Sequence, residues 1–439
     1  MSRNAKGWMY VIFAVLIMCI TLGYAYLNTE LDINGTTNIT SANWSIYWDN
    51  IQFGSNNVTD ITTPATISSG LTEVTFNVNF KEPGDTYEFT VDAVNDGSIN
   101  AMVSVVSNGV YAANGTTPKT LPDYLEYTVT YSDGIEIAQN HLLEAGETET
   151  YKVRVHYKED ITASQLPSTN DNYVFKFSVD YVQATSSAQT VDHSFNGHSW
   201  ETIINNVRTG NTSNYHAGDT KTVTLGNSIG THTLRIANTS TPVECSTTGF
   251  SQTACGFVLE FADIITTHRT NPSGEYQGTT YNYGWNVDGW PASSMRTYVN
   301  TDIYNALPEV IRNAIVNTTV VSGHGSTSGE TNFTSTDKLY LLSTHEVWED
   351  VDGNTSSGPD YYDTAYNNTR QLDYYAELNV TTSSYSQAIK KRNGSNSSWW
   401  LRSASFRYTD SFHGVNYNGY WISINAYITD GVSPAFRLG

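Results

Sequence analysis

The sequence predicts a multidomain, β-rich protein in which an all-β sandwich precedes an α+β domain. Three observations carry this prediction. Residues 29–182 hold short runs of alternating apolar and polar residues, broken by Gly, Asp and Asn. That is the pattern of half-buried antiparallel strands joined by tight turns. Residues 193–439 mix such runs with segments of helical period. Between them, residues 183–192 (QATSSAQTVD) are rich in Ser, Ala and Thr and poor in large apolar groups, as a linker is.

Residues 1–28 form a separate segment. Arg3 and Lys6 precede an apolar run from Trp8 to Ile20, and small residues follow. A cationic end, an apolar core and small residues make an export signal. Gly23 and Ala25 suit cleavage after Ala25. The run is shorter than the ~20 residues a spanning helix needs, although Thr21–Tyr26 extend it to a bare span, so a retained membrane anchor is the alternative. Met18 is too large for the residue before a lipid-modified Cys19. Everything after this segment is expected to be extracellular, at the cell surface or secreted, with membrane contact only through the segment itself.

Composition narrows the function classes. The chain has 439 residues and a formal net charge of −21. An acidic chain without a basic patch repels phosphate backbones, which argues against nucleic-acid binding. The 30 Tyr and 10 Trp, among many Ser, Thr, Asn and Gly, suit exposed β-sheet and aromatic stacking on sugars. Cys245 and Cys255 are the only cysteines after the export segment, and an oxidising exterior favours a disulfide between them. Sequons such as those at Asn34, Asn57, Asn114, Asn211, Asn317 and Asn396 could accept glycans in a host with the machinery.

In the first domain, strands are expected over Leu71–Phe80, Thr86–Gly97, Tyr124–Gly134, Glu149–Tyr157 and Asn172–Val182, with INAMVSVVSNG as a further strand and Glu82–Asp85 as a turn. GYAYLNTELDINGTTNITSANWSIYWDNI and PGDTYEFTVDAVNDGSINAMV resemble the mature start of the camelysin and biofilm-matrix-fibre family of Gram-positive bacteria. The resemblance implies a jelly-roll-like or Ig-like sandwich that assembles through donated strands. A generic extracellular spacer is the alternative.

In the second domain, Trp290–Asn300 has Pro291 near a helix start and Met295, Tyr298 and Val299 on one face. Thr301–Val316 is expected to continue as helix, capped by Thr301 or Asp302, with Pro308 marking a break or a second start. Thr336–Trp348 reads as strand, Ser384–Asn393 as a short helix, and the remainder as closing strands. GWPASSMRTYVN, LPEVIRNAI, STDKLYLLSTHEVW, SWWLRSAS and GVSPAFRL together resemble an uncharacterised domain family of Gram-positive surface proteins. The ending is similar to the closing strands of C-type-lectin-like and formylglycine-generating-enzyme-like folds, a likeness of fold and not of activity.

Candidate sites follow from residue chemistry. Within WWLRS, Trp400 and Arg402 share one strand face. Arg402 either stacks on an aromatic of a binding face or pairs with a buried carboxylate. Tyr417, Tyr420 and Trp421 lie in a Tyr/Asn/Gly-rich stretch of the kind binding loops use. Asp350, Asp352, Asn354 and Ser356 alternate like the oxygen ligands of a calcium loop, but the glycine spacing is not that of an EF-hand; an acidic surface loop is the alternative. No histidine pair has a zinc spacing, and HEVWE is not HExxH. No nucleophile elbow or phosphate loop occurs.

The expected function is an exported bacterial surface protein. Its C-terminal domain binds an extracellular glycan or surface protein through Trp400, Arg402, Tyr417, Tyr420 and Trp421, with calcium as a candidate cofactor, presented on a β-sandwich stalk. The alternatives are a structural fibre protein assembling through the sandwich and an enzyme acting on the cell wall.

Overall fold

A computed structural model describes residues 42–54, 56–58, 60–167, 172–272, 274–276, 279–281, 285–326, 329, 331–351 and 362–439. Residues 1–28, read from the sequence as an export signal or membrane anchor, lie outside the described residues. The chain divides into two compact units, Met1–Asp192 and His193–Gly439. No helix among the described residues is long and apolar enough to cross a membrane.

In the N-terminal unit the strands are β1 (Ile46–Phe53), β2 (Asp60–Ile67), β3 (Val74–Asn79), β4 (Thr86–Asn95), β5 (Ala101–Tyr111), β6 (Leu125–Tyr131), β7 (Leu142–Leu143), β8 (Thr148–Tyr157) and β9 (Val174–Gln183). One sheet has the order β1-β4-β8-β6. Period-two alternation turns Tyr87, Phe89, Val91 and Ala93 of β4 inward, and Tyr151, Val153, Val155 and Tyr157 of β8 beside them. The Glu82–Asp85 turn before β4 closes on Asp85, whose carboxylate accepts from the Lys81 and Glu82 amides at 2.6 and 3.2 Å.

A second layer faces this sheet in two pieces, β2-β3 and β7-β5-β9. Phe76 of β3 packs its ring 5.4 Å from Phe89. From β9, Phe175 lies 4.6 Å from Tyr127, and the Tyr181 hydroxyl meets that of Tyr151 at 2.6 Å. Among the described residues β3 pairs only with β2, and β9 only with β5.

The C-terminal unit contains β10 (Thr220–Leu225), β11 (Gly230–Asn238), β12 (Val258–Phe261), β13 (Thr266–Arg269), β14 (Gly274–Tyr276), β15 (Thr279–Tyr281), β16 (Thr318–Ser322), β17 (Phe333–Asp337), β18 (Lys390–Arg392), β19 (Ser395–Ser397), β20 (Trp399–Ala404), β21 (Ser411–Val415), β22 (Trp421–Asn425), β23 (Thr429–Val432) and β24 (Ala435–Arg437). Its larger sheets run β10-β11-β12-β24 and β13-β23-β20-β21-β22. The terminal strand β24 pairs with β12, and Ala435 bridges to Tyr340. The last residues of the chain therefore knit the first sheet to the segment that follows β17. One continuous apolar core joins these parts, with Trp290, Trp348, Trp399 and Trp400 fully buried.

Several helical expectations change. Trp200–Thr209 forms a helix that the alternation reading passes over; the Ser199 hydroxyl accepts from the Thr202 amide, and Gly210 ends it at φ 74°. Helix does not restart at Thr301. The chain instead passes from Ser294–Tyr298 through a π turn, Val299–Ile303, into Tyr304–Ala306. Pro308 then precedes a new helix, Glu309–Ala314, because it cannot continue the old one. The strand expected over Thr336–Trp348 stops at Asp337, and Thr344–Val347 is a helical turn. Ser343 and Glu346 cap that turn reciprocally. In the Ser384–Asn393 segment only Ser386–Ala388 turns helically, and Lys390–Arg392 is strand.

Candidate ligand-binding surface

β21 and β22 form a hairpin whose connection presents aromatic side chains. Asn416 organises the turn: its side-chain oxygen accepts from the amides of Asn418 and Tyr420 at 2.9 and 3.0 Å. Gly419 sits at φ 89°, and a Cβ there would collide with the Tyr385 carbonyl. The turn is therefore clamped against Tyr385 at the one position where a side chain cannot be tolerated. It leaves Tyr417 57% and Tyr420 38% exposed.

The rings form a connected series. Tyr385 lies 5.2 Å from Tyr420, Tyr420 5.4 Å from Trp421, Trp421 6.0 Å from Tyr362, and Tyr362 6.0 Å from Tyr408. Arg407 extends over Tyr362 and Tyr408 and donates to the Tyr362 hydroxyl at 2.9 Å. Phe406 and Tyr408 are exposed at one end of the series. Aromatic faces held at such spacings by neighbouring rings need little further ordering when a ligand arrives.

The five expected binding residues thus separate into two groups. Tyr417, Tyr420 and Trp421 share the surface just described. Trp400 and Arg402 do not: both are fully buried, because β20 is the central strand of its sheet and is covered on both faces. The Trp400 indole donates to the His268 carbonyl at 3.0 Å. Arg402 takes the buried-carboxylate alternative. Its guanidinium makes paired contacts of 2.5 and 2.6 Å to Glu346 and a third, 2.9 Å, to the Leu341 carbonyl. The Thr253 hydroxyl, Thr369 and the Ser343 amide complete the Glu346 carboxylate, the last two each at 2.9 Å. Burial pushes that carboxyl up, but Arg402 and these hydrogen bonds hold it below its ordinary value. A fork-to-fork pair so fully buried is out of a ligand's reach.

A second buried network escaped the sequence reading. Glu260 receives Arg235 at 2.7 Å, the Lys390 ammonium at 2.6 Å and the Tyr375 hydroxyl at 3.1 Å. Burial lowers the Lys390 amine to about 8 in spite of Glu260. These partners come from β11, β12, β18 and a helical turn far apart in sequence, and no local pattern announces such a meeting. The capping signature Ser343-x-x-Glu346 was legible and would have placed Glu346 at a helix start.

Of the calcium candidates, Asp352 and Asn354 lie outside the described residues. Asp350 is exposed, and its carboxylate accepts from the Thr382 amide at 2.7 Å. Cys245 and Cys255 are disulfide-bonded.

The N-terminal unit offers a different feature. Between β3 and β9, where the second layer is interrupted, runs a groove of about 1500 Å³. Phe76 and Val78 line one wall, Phe175 and Phe177 the other, and Val129 and Val153 the floor. A trough lined by both apolar and polar side chains, and flanked by strand edges that pair with no other described strand, has the shape and the hydrogen-bonding groups that an added strand requires.

No curated protein matches the chain. Residues 263–439, the greater part of the C-terminal unit, match the family described as a domain of unknown function (DUF6273).

Proposed function

We propose that the protein is exported to the bacterial cell surface and that its C-terminal, lectin-like unit binds an extracellular glycan or surface protein. The connected aromatic surface from Tyr385 to Tyr408 is the observation that carries this reading. Closely spaced rings with Tyr and Asn at the rim suit ligands that present both apolar faces and hydroxyl or amide groups. The apolar run Trp8–Ile20 and the Cys245–Cys255 bridge favour an oxidising destination. The test is binding of the purified chain to glycan and cell-wall fractions, with and without chelator. Retention that Tyr417→Ala with Tyr420→Ala abolishes supports the reading, and chelator sensitivity implicates the loop that starts at Asp350. Absence of binding to every fraction sinks it.

A second reading rests on the groove between β3 and β9. In it the N-terminal unit takes up a strand from another copy, and the protein assembles into fibres. Fibres that grow with concentration, and that Phe177→Glu on the groove wall prevents, are the expected result. A chain that stays monomeric at every concentration in electron microscopy and light scattering removes this reading.

A further inference from the structure

The N-terminal unit holds a second, smaller cavity of about 360 Å³. It adjoins the trough, with which it shares Trp48 and Thr72. Trp44, Tyr47 and Trp48 line it from β1 and the residues just before, Leu71 from the β2–β3 turn, and Tyr181 from β9. Trp44 and Leu71 are 39% and 43% exposed, so the cavity is open to solvent and of a size for a small molecule. Its inner rings are fixed before a ligand arrives. The Tyr181 hydroxyl meets that of Tyr151, and the Trp48 ring stands edge-on to Tyr151 at 5.3 Å. Leu71 has φ 58°, a left-handed conformation that a bulky side chain resists. Its amide donates to the Ser68 carbonyl at 2.9 Å and its carbonyl accepts from the Trp48 amide at 2.7 Å, which enforces that conformation. A glycine would make the same turn without strain, and strain of this kind gathers where a ligand is clamped.

The walls name the class of ligand. Among the described residues no Lys, Arg or His lines this cavity, and Asp180 is its one charged residue. Lys81 and Lys176 belong to the larger trough alone. Residues 29–192 also hold far more Asp and Glu than Lys and Arg. An anion would therefore meet no positive group and a repelling field. Aromatic faces attract a cation instead, most strongly where water is excluded, and Trp does so best. A cation clothed in methyl groups satisfies both the rings and the aliphatic wall at Leu71. We propose that this cavity binds a small dissolved quaternary ammonium compound, with Trp44 and Trp48 against the cation and Leu71 closing the rim. The site depends neither on the aromatic surface of the C-terminal unit nor on strand uptake in the trough.

The experiment titrates the full chain, carrying isotope-labelled tryptophan, with choline and with its uncharged isostere, in which a tert-butyl group replaces the trimethylammonium. The expected result is that choline shifts the Trp44 and Trp48 indole resonances saturably and that the isostere binds at least tenfold more weakly. Trp44→Leu keeps apolar bulk and removes the aromatic face, so choline affinity falls at least tenfold while the thermal transition of the unit moves little. Trp44→Phe restores part of the affinity. An isostere that binds as well as choline overturns the proposal, because the cavity is then merely apolar. Choline binding that is undiminished in Trp44→Leu, or that moves only other indoles, places the cation elsewhere and overturns the site. Absence of any saturable shift with choline overturns it outright.

Discussion

In the N-terminal unit the sheet β1-β4-β8-β6 is covered by a layer in two pieces, and β3 and β9 face each other across a trough that the described residues leave open. In the C-terminal unit β20 has strands on either side and cover on both faces, and its Arg402 is sealed against Glu346. Among the described residues of the first unit the Lys81–Asp60 pair, 3.0 Å apart, lies outside, 62% and 41% exposed, while His141 and Glu149 meet at 2.9 Å in a mostly enclosed place. The second has drawn Arg402, Glu346, Glu260 and Lys390 into its core. Burying charge is tolerable only where every lone pair and proton finds a partner, which demands a closed and specific interior. The core cluster of the N-terminal unit is built from Tyr, Phe, Val and Ala.

The sharpest way to break this contrast is to cut one buried pair. Glu346→Ala leaves the Arg402 guanidinium enclosed without its carboxylate, and a loss of about 3–5 kcal/mol is expected in denaturant unfolding of the C-terminal unit. Replacing both partners, Glu346→Leu with Arg402→Met, is expected to recover most of that loss. Asp60→Asn at the exposed pair of the N-terminal unit leaves unfolding where it was. Equal effects at the buried and exposed pairs would erase the distinction.

The disulfide comes next. Cys245 and Cys255 are ten residues apart, and closing a loop of that size stabilises by about 3 kcal/mol. Reduction is therefore expected to lower the melting transition of the C-terminal unit and leave that of the N-terminal unit unchanged in calorimetry.

Acid separates the units further. The folded value of His413, about 4, lies below the ordinary 6.5, so between these values the unfolded chain binds a proton that the folded chain refuses. Stability of the C-terminal unit falls as pH drops through this window, on the order of 1–3 kcal/mol. The Asp363 carboxylate opposes the shift but does not overcome burial. Glu260 and Glu346 are held below 4.5, so their contributions fade only at lower pH. Unfolding midpoints at about pH 7 and about pH 5 should therefore differ less in His413→Gln than in the parent chain. An unchanged difference would put the acid sensitivity elsewhere. A comparably small effect is expected at Tyr417→Ala, within about 0.5 kcal/mol of the parent, since that ring is mostly in water.

Much of this architecture was open to reading along the chain. Alternation in TYEFTVDAVN and ETYKVRVHY located β4 and β8, because a strand with one face buried must repeat every two residues. The capping residues of Trp200–Thr209, Ser199 and Gly210, were equally legible and went unused. The aromatic hairpin was half legible: its Tyr, Asn and Gly marked a turn with exposed rings, while WWLRS, equally rich in large aromatics, is core.

Local chemistry by itself placed strands such as β4 and β8, the cysteine pair and the Tyr/Asn-rich turn that carries exposed rings. Each of these depends on neighbours within a few residues. Only the tertiary structure decided that Arg402 and Trp400 are interior, that Glu260 meets Lys390 across 130 residues, that β3 and β9 leave a trough, and that His413 faces Ser423 without a bond. Burial and partnership are set by which sheets stack and which strand lies central. Those contacts join residues that the sequence keeps far apart.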